Sequence, residues 1–465
     1  MEKSQHSEAI VSRLRRDLGT IESYAALIGI LIGAGIFKVT SDAWSLTGPS
    51  VILGYLVLMP AILATSIPYA AYLSTPLGRE PGGEYLHISR TLGGFRIAYI
   101  GAWLKIISYV GAGAYLSDAL AGYLTRLVGV GEQFHLPLAI AGLLLFYAVH
   151  VAGVRWFGRM QVAMCALKGL AILVLIVPGL FAIRVANYTP FVTHGFSGFA
   201  ASLLPIFFAY AGFESLAQTA GEVKDSTRRL PMILLKGISA TALIYVLMSA
   251  VSFGVLPGAR LQASNAPMAE VASVYLPAGA AAFITFGAIM AIMTALNGTI
   301  LVPSRLAIMF VQDRLAPRWV GFINPRTGTP IRGLTLTLIA CTALLVSKQL
   351  SLALNIAVFA LIVLYFLHGL TFLLLPRWNP KLYSEITVGI PRSITFGSAV
   401  LSVIAMGSMI AVQIIQDVET LRAKSLHERI VEHSLTSLEL ALVWALIGAA
   451  LYGFAQLMRN QSDSV

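Results

Sequence analysis

Charged side chains are scarce in this sequence. Only 11% of its 465 residues are Asp, Glu, Lys or Arg, whereas soluble domains average about 25%. Hydrophobic residues make up 57% of the chain, and the mean hydropathy is +0.80. These values exclude a water-soluble globular domain and are typical of a polytopic α-helical membrane protein.

Residues for disulfide, metal and catalytic chemistry are also few. The two cysteines, Cys165 and Cys341, both fall in apolar runs, so neither a disulfide framework nor a metal site is predicted. The sequence contains no recognisable catalytic Ser/His/Asp set, HExxH motif or phosphate-binding string. We therefore expect a protein that is not an enzyme and carries no cofactor. The polar residues 1–19 lack the apolar core of a cleavable signal peptide.

What is present is a series of long apolar stretches. They predict twelve transmembrane helices, and the charged residues 417–435 between the last two are expected to form a solvated loop or, as the alternative, a short surface helix. The predicted spans are 20–47, 49–75, 95–126, 135–153, 158–184, 199–221, 231–256, 279–309, 333–347, 351–375, 394–416 and 436–458.

The net charge of +11 would suit a nucleic-acid partner, but the positions of the charges indicate membrane topology instead. With the N-terminus inside, 22 Lys and Arg residues lie in or next to cytoplasmic segments, and 8 lie in or next to extracellular ones. This asymmetry follows the positive-inside rule. It predicts a multi-pass protein of the plasma (inner) membrane with both termini cytoplasmic and with no nucleic acid bound.

Two of the spans carry interruptions. Gly33–Phe37 (GAGIF) interrupts span one, and Ala209–Glu214 (AYAGFE) interrupts span six. Interruptions in corresponding spans of two halves are the best sequence pointer to a transporter's binding site. Because spans 1–5 and 6–10 are odd in number, the two halves would have opposite orientations in the membrane.

Four sets of motifs, in order along the chain, carry a family resemblance. They are Gly33–Phe37; Pro81–Tyr85 (PGGEY); Gly212–Ser215 with Gly221–Asp225 and Arg228–Pro231; and Asn297–Arg305 with Asp313–Pro317. Through them, roughly residues 18 to 376 resemble the amino acid permeases of the amino acid–polyamine–organocation (APC) superfamily.

The resemblance implies an all-α, LeuT-like fold of five plus five inverted helices, in which helices 1 and 6 are broken and helices 11 and 12 are peripheral. The chain would then divide into a cytoplasmic tail 1–19, a first repeat 20–184, a second repeat 199–375, a peripheral helix pair 394–458 and a cytoplasmic tail 459–465.

The break in span one predicts a substrate site. Free N–H groups at the start of its outer half would suit a carboxylate, and free carbonyls at the end of its inner half would suit an ammonium group. Small residues there could instead serve only close helix packing. The candidate residues are Ile32, Gly33, Ala34, Gly35 and Ile36.

Spans six and eight supply further candidates. Free carbonyls at the end of the outer half of span six, which ends at Ala209, would receive the substrate amine. Tyr210 would donate its hydroxyl or pack in the core, and Gly212 at the break is a further substrate-binding candidate. The resemblance implies an aromatic lid at Phe208, although a lipid-facing phenylalanine is the alternative. Asn297 and Thr299 would contact the substrate or hold helices together.

Two ionisable residues are candidates for proton coupling. Lys168 lies about 15 Å into span five, where a charged lysine needs polar partners or loses its proton. The resemblance implies that it stands where sodium binds in sodium-coupled relatives, so no sodium requirement is expected. A permanently charged lysine that bridges helices one, five and eight is the alternative. Glu214 would either sense protons or cap the inner half of span six.

Three other polar residues match no motif. Lys105 is expected to reach the inner membrane surface, Asp118 to lie at a solvated helix end, and His368 to be packed and hydrogen-bonded.

These features predict a secondary active transporter that works by alternating access in the lipid bilayer. Its substrate would be a neutral amino acid carried in symport with a proton, independently of sodium. The alternatives are an exchanger of amino acids or amines, a polyamine carrier and a non-transporting sensor. The sequence leaves the oligomeric state open.

Overall fold

The computed structural model describes residues 10–264, 266–347, 349–431 and 435–463. These residues form helices and their connections, with no β-strand among them and one isolated bridge between Leu18 and Val223. The prediction of an all-helical chain is therefore confirmed. Residues 1–9 and 464–465 of the predicted tails lie outside the described residues.

The helices follow the predicted spans closely. The first half of the chain contains α1 Thr20–Leu31, α2 Ala34–Thr47, α3 Val51–Leu73, α4 Glu84–Leu92, α5 Arg96–Val128, α6 His135–Val151, α7 Val154–Gly179 and α8 Gly195–Tyr210. The second half contains α9 Ser226–Val255, α10 Gly258–Ala263, α11 Pro267–Ser273, α12 Ala280–Gln312, α13 Ile331–Ser347, α14 Leu350–Trp378, α15 Pro380–Ser384, α16 Arg392–Ala423, α17 Leu426–Val431 and α18 Ser437–Asp463.

Five short 3-10 segments connect these helices. They are Gly48–Ser50, Pro76–Arg79, Glu132–Phe134, Val185–Tyr188 and Phe213–Glu222.

Ten helical stretches in the described residues are long and apolar enough to cross a membrane, and α1 and α13 are apolar but shorter. At 1.5 Å per residue, α1 extends about 18 Å, which is less than the hydrocarbon core of roughly 30 Å. It needs α2 to complete a crossing.

Two long helices form the centre of the molecule. The helices α5 and α12 have 33 residues each and are about 50 Å long. They pack against each other, α14 packs on α5, and α7 packs on α12. The helix α1 packs against α7, α9 and α12, so the first broken segment lies inside the bundle.

The prediction of a solvated loop from residue 417 onwards is wrong for its first residues. The helix α16 continues to Ala423, and Asp417 is buried within it. Its carboxylate accepts hydrogen bonds from the Leu438 backbone N–H at 2.8 Å and from Gln413 Nε2 at 2.8 Å. A carboxylate is stabilised there because Leu438 lies in the first turn of α18, where backbone N–H groups lack helical partners.

Candidate functional site

The first break lies between α1 and α2. The helix α1 ends at Leu31, α2 begins at Ala34, and Ile32 has a non-helical backbone with φ −86° and ψ 73°. A Cβ atom on Gly33 would lie 2.8 Å from the Cβ of Ala295 in α12. Glycine at this position therefore allows α12 to approach the interrupted backbone.

The second break lies between α8 and the 3-10 segment Phe213–Glu222. Gly212, at the break, has φ +104°, a region that side-chain-bearing residues rarely adopt. A Cβ atom there would lie 2.5 Å from Cγ2 of Ile30 in α1. The last turn of α1, just before the first break, is therefore packed on the second break.

A tyrosine from α9 joins the carbonyl ends of both interrupted helices. The Tyr245 hydroxyl lies 2.7 Å from the carbonyl oxygen of Ala209 in α8, and it also contacts the carbonyl oxygen of Leu31 in α1. A hydroxyl carries one hydrogen, so it donates to one of these carbonyls at a time. It occupies the position between two helix C-termini that a positively charged group would favour.

A cavity of about 70 Å³ lies between the breaks. Its walls include apolar residues of α1 and the uncharged polar residues Ser108 and Tyr109 of α5. The volume of the cavity exceeds what one water molecule needs, so the cavity can hold a small solute. Six residues of the predicted site line it, namely Gly33, Gly35, Phe208, Ala209, Gly212 and Thr299.

Four of the other predicted substrate residues, namely Ile32, Ile36, Tyr210 and Asn297, are buried but do not line the cavity. Ala34, of which only the backbone is described, begins α2. The Tyr210 hydroxyl donates to the backbone carbonyl of Tyr55 at 3.2 Å. The Asn297 side-chain amide donates to Gln161 Oε1 at 2.7 Å, so it joins α12 to α7.

Lys168 is fully buried and contacts α1 and α12. Its Nζ lies 3.1, 3.3 and 2.8 Å from the carbonyl oxygens of Ile28, Gly29 and Ile32, and 2.9 Å from Thr294 Oγ1. Three of these acceptors belong to the end of α1. An ammonium group can donate three hydrogen bonds, so this set of oxygens fits the charged form of lysine.

Glu214 lies in the first turn of the 3-10 segment that begins at Phe213, and its hydrogen-bond partners are two tyrosines of other helices. Its carboxylate accepts a hydrogen bond from the Tyr109 hydroxyl of α5 at 2.6 Å and another from the Tyr365 hydroxyl of α14. Tyr365 also accepts the Gly212 N–H at 3.3 Å. Glu214 is thereby tied to the second break.

Lys105 does not reach a membrane surface, so that prediction is wrong. It is 1% exposed, and its Nζ lies 2.8 Å from Oε2 of Glu84 and 3.6 Å from Oε1 of Glu214. The α4 helix carries Glu84 into the bundle beside α5, which gives the lysine a closer partner than the headgroup region.

The remaining polar candidates have partners as well. Asp118, with 40% of its side chain exposed, lies 2.8 Å from Nε2 of His135. His368 Nε2 lies 2.9 Å from Nδ1 of His87. His368 is buried, as predicted, but the sequence gave no sign of its histidine partner, because α4 and α14 are distant along the chain.

The N-terminal segment pairs with the chain next to Val223. The Leu18 N–H donates to the carbonyl of Glu222, and the Lys224 N–H donates to the carbonyl of Leu18, both at 3.0 Å. Beneath this contact, Arg305 of α12 and Glu222 form an ion pair of 2.8 Å in which both side chains are 1% exposed.

Sequence reasoning missed Tyr109, Tyr245 and Tyr365. A tyrosine in an apolar span is ordinary packing material, so composition does not mark it. One signal was available for Tyr109, which follows Lys105 by four residues and therefore shares its helix face.

These features define a polytopic membrane protein with a solute-sized cavity between two interrupted helices. A sequence model of the Amino acid permease family matches residues 18–424. The chain belongs to this family, as the motifs indicated, and it is therefore a transporter rather than an enzyme.

Several curated transporters are similar to the chain. The methylthioribose transporter of Bacillus subtilis is 28% identical over 343 residues, which cover 70% of this chain and 73% of that protein. The branched-chain amino acid permease BcaP of Bacillus subtilis is 26% identical over 337 residues, covering 68% and 71%. The cationic amino acid transporter 1 of Arabidopsis thaliana is 28% identical over 334 residues, covering 68% and 55%.

Proposed function

We propose that the protein moves a small neutral amino acid together with a proton by alternating access and that it does not require sodium. The observation that carries this proposal is the meeting of two interrupted helices at one cavity. The proposed arrangement is LeuT-like, with repeats 20–184 and 199–375, a peripheral pair 394–458 and cytoplasmic tails 1–19 and 459–465. The charge asymmetry between loops supports cytoplasmic termini in the plasma membrane.

The substrate's two charged groups have complementary partners at the breaks. Its α-carboxylate would bind the start of α2, where Gly33 and Gly35 line the cavity and backbone N–H groups favour an anion. Its ammonium group would bind the carbonyls of Leu31 and Ala209 after displacing the Tyr245 hydroxyl. Phe208 and Thr299, which also line the cavity, would contact the rest of the substrate.

The cavity supports a small and uncharged side chain. Its polar lining residues, such as Ser108 and Thr299, carry no charge, and Ala112 and Leu116 of α5 are apolar. Its volume of about 70 Å³ suits a small solute. A polyamine has no carboxylate for the start of α2, so it ranks below an amino acid.

The contacts of Lys168 support both sodium independence and coupling. Four uncharged oxygen atoms surround its Nζ, a set that would otherwise suit a monovalent cation, and the ammonium group fills that place. If Lys168 lost its proton, its hydrogen bonds to the carbonyls at the end of α1 would weaken. The backbone at the first break could then rearrange.

Uptake into proteoliposomes tests this role. Lys168→Ala is expected to retain amino acid binding in part and to lose the dependence of uptake on the pH gradient. Lys168→Arg keeps the charge but does not release a proton, so it is also expected to lose the pH dependence, which separates proton release from charge alone. Uptake by Lys168→Ala with the wild-type pH dependence would contradict the assignment.

An amino acid exchanger is the second candidate function. The buried Glu222–Arg305 ion pair is equally compatible with a carrier that changes conformation only when an amino acid is bound. Uptake measured with and without internal amino acid separates the two, because an obligate exchanger is inactive in empty vesicles.

A further inference from the structure

A buried cluster with three ionisable side chains lies beside the cavity. Glu84 is 1% exposed, Lys105 is 1% exposed and Glu214 is fully buried. They come from α4, α5 and the 3-10 segment after the second break. One ammonium group faces two carboxylates, so the cluster carries one unbalanced negative charge unless it binds a proton. Burying an uncompensated charge costs several kcal/mol. This cost favours the uptake of a proton by the cluster.

The hydrogen bonds assign different states to the two carboxylates. Glu84 accepts from Lys105 Nζ at 3.0 and 2.8 Å and from the Tyr69 hydroxyl at 2.8 Å. Gln218 Nε2 lies a further 3.4 Å from it, and the amide orientation is fixed because Gln218 Oε1 accepts the Gly82 N–H. Ammonium and amide N–H groups only donate, so the contacts with Lys105 and Gln218 favour the ionised form of Glu84.

Glu214 has partners that tolerate either state. Both of its hydrogen-bond partners are tyrosine hydroxyls, Tyr109 and Tyr365, and a hydroxyl can donate or accept. Lys105 lies 3.6 Å from Glu214, farther than from Glu84. Protonation of Glu214 therefore breaks no obligatory hydrogen bond.

We propose that Glu84, Lys105 and Glu214 form one proton-binding site in which Glu84 neutralises Lys105 and Glu214 receives the proton. This proposal rests on the proposed proton symport and adds Glu84 and Lys105, as positioning residues, to that function. The proton forms an O–H bond on a Glu214 oxygen, and no other bond is broken. Lys105 and Glu84 set the affinity of Glu214 for this proton.

Tyr109 connects this site to the substrate cavity, which it lines. When Glu214 is ionised, the Tyr109 hydroxyl donates to it at 2.6 Å. When Glu214 is protonated, its O–H can donate to the Tyr109 oxygen, and the Tyr109 hydrogen is then available to a group in the cavity. Proton binding and substrate binding would thus favour each other.

The surrounding titratable groups come from four elements. These are Tyr69 of α3, His87 of α4, Tyr109 of α5, and Tyr365 and His368 of α14. His87 and His368 bond each other at 2.9 Å, and burial together with the charge of Lys105 lowers the pKa of His87 to about 3. His87 is therefore neutral at physiological pH and does not supply the missing charge.

Infrared titration of the purified full-length protein tests the site without relying on transport. The absorption of a protonated carboxyl group should appear as the pH falls and should be lost in Glu214→Gln. Glu84→Gln leaves Lys105 to pair with Glu214, so its midpoint should move to lower pH. Lys105→Met leaves two carboxylates without a cation, so its midpoint should move to higher pH. Each shift should be about 1–3 pH units.

The double variant Glu84→Gln/Lys105→Met removes a neutral pair, so its midpoint should lie between those of the single variants. The double variant also provides a test if a single variant misfolds. The titration midpoint of Lys105→Arg should stay near that of the wild type. Shifts of the same sign, no shift, or a carboxyl signal that persists in Glu214→Gln but disappears in Glu84→Gln would overturn the proposal. Because the titration needs no gradient, failure of proton symport in vesicles would be a separate result.

Discussion

Single side chains hold the interrupted backbone of this transporter in place. The Tyr245 hydroxyl lies between the carbonyls of Leu31 and Ala209, and Lys168 holds the carbonyls at the end of α1. Helix ends inside a membrane protein need such partners because no bulk water is available there. These side chains bond the carbonyl groups at the helix ends. They would therefore compete with a substrate that binds the same carbonyl oxygens.

Tyr245→Phe tests this competition. Without the hydroxyl, the carbonyls of Leu31 and Ala209 lose a buried donor, so the substrate-free protein should lose about 1–3 kcal/mol of stability. A substrate ammonium group would no longer need to displace a hydroxyl, so a bound amino acid should raise the melting temperature more than in wild type. Thermal unfolding in detergent, with and without a neutral amino acid, measures both effects. An equal ligand-induced shift in the two proteins would contradict the competition.

The sequence marked the buried ionisable residues more clearly than it marked the side chains that bond them. Lys168 and Glu214 could be selected because a charge deep in a span is costly. The direction of Lys105 could not be derived, because its partner Glu84 lies outside the predicted spans, on α4, and reaches the bundle only through the tertiary fold. Asn297 was a reasonable pocket residue by position, but Gln161 takes its amide across a contact 136 residues apart in sequence.

At the scale of secondary structure, the two breaks have different forms. The first is a short gap at Ile32 and Gly33 between two α-helices. The second turns through Gly212 into a 3-10 segment of ten residues, although such segments seldom exceed about four residues. The strings Gly33–Phe37 and Ala209–Glu214 predicted the positions of both breaks. They did not predict the 3-10 form, which depends on contacts such as Tyr109 and Tyr365 with Glu214.

Gly212→Ala tests the need for a left-handed backbone at the second break. The residue has φ +104° and lacks room for a Cβ beside Ile30, so alanine should cost at least about 1–3 kcal/mol and reduce uptake strongly. Gly397→Ala in α16 is the matched control, because a Cβ there meets nothing within 4 Å and alanine should stabilise the helix by roughly 0.5–1 kcal/mol. Thermal unfolding and uptake are measured on both variants. Wild-type behaviour of Gly212→Ala would contradict the account of the break.

At the scale of the whole molecule, several buried ionisable groups lie close to the cavity. The Leu18–Val223 bridge joins the N-terminal segment to the chain after the second break, and the Glu222–Arg305 pair joins that chain to α12. The proposed alternating access would require these contacts to separate. The sequence predicted an all-helical membrane protein and the order of its long apolar helices because hydrophobic length is a strong signal. Of the twelve predicted spans, ten match helical stretches of the described residues that are long enough to cross a membrane by themselves, whereas α1 and α13 are shorter. It did not predict how α4 and α14 meet at His87 and His368, because periodicity does not identify tertiary partners.

Amino-acid-driven proton entry tests the central claim most directly. Wild-type protein is reconstituted into vesicles that contain a pH-sensitive dye, with equal pH on both sides, no sodium and no internal amino acid. Addition of a small neutral amino acid outside should acidify the lumen, and Lys168→Ala should weaken this response. Uptake of the labelled amino acid into the same empty vesicles with no change of luminal pH would contradict proton symport, and uptake that appears only with internal amino acid would identify an exchanger.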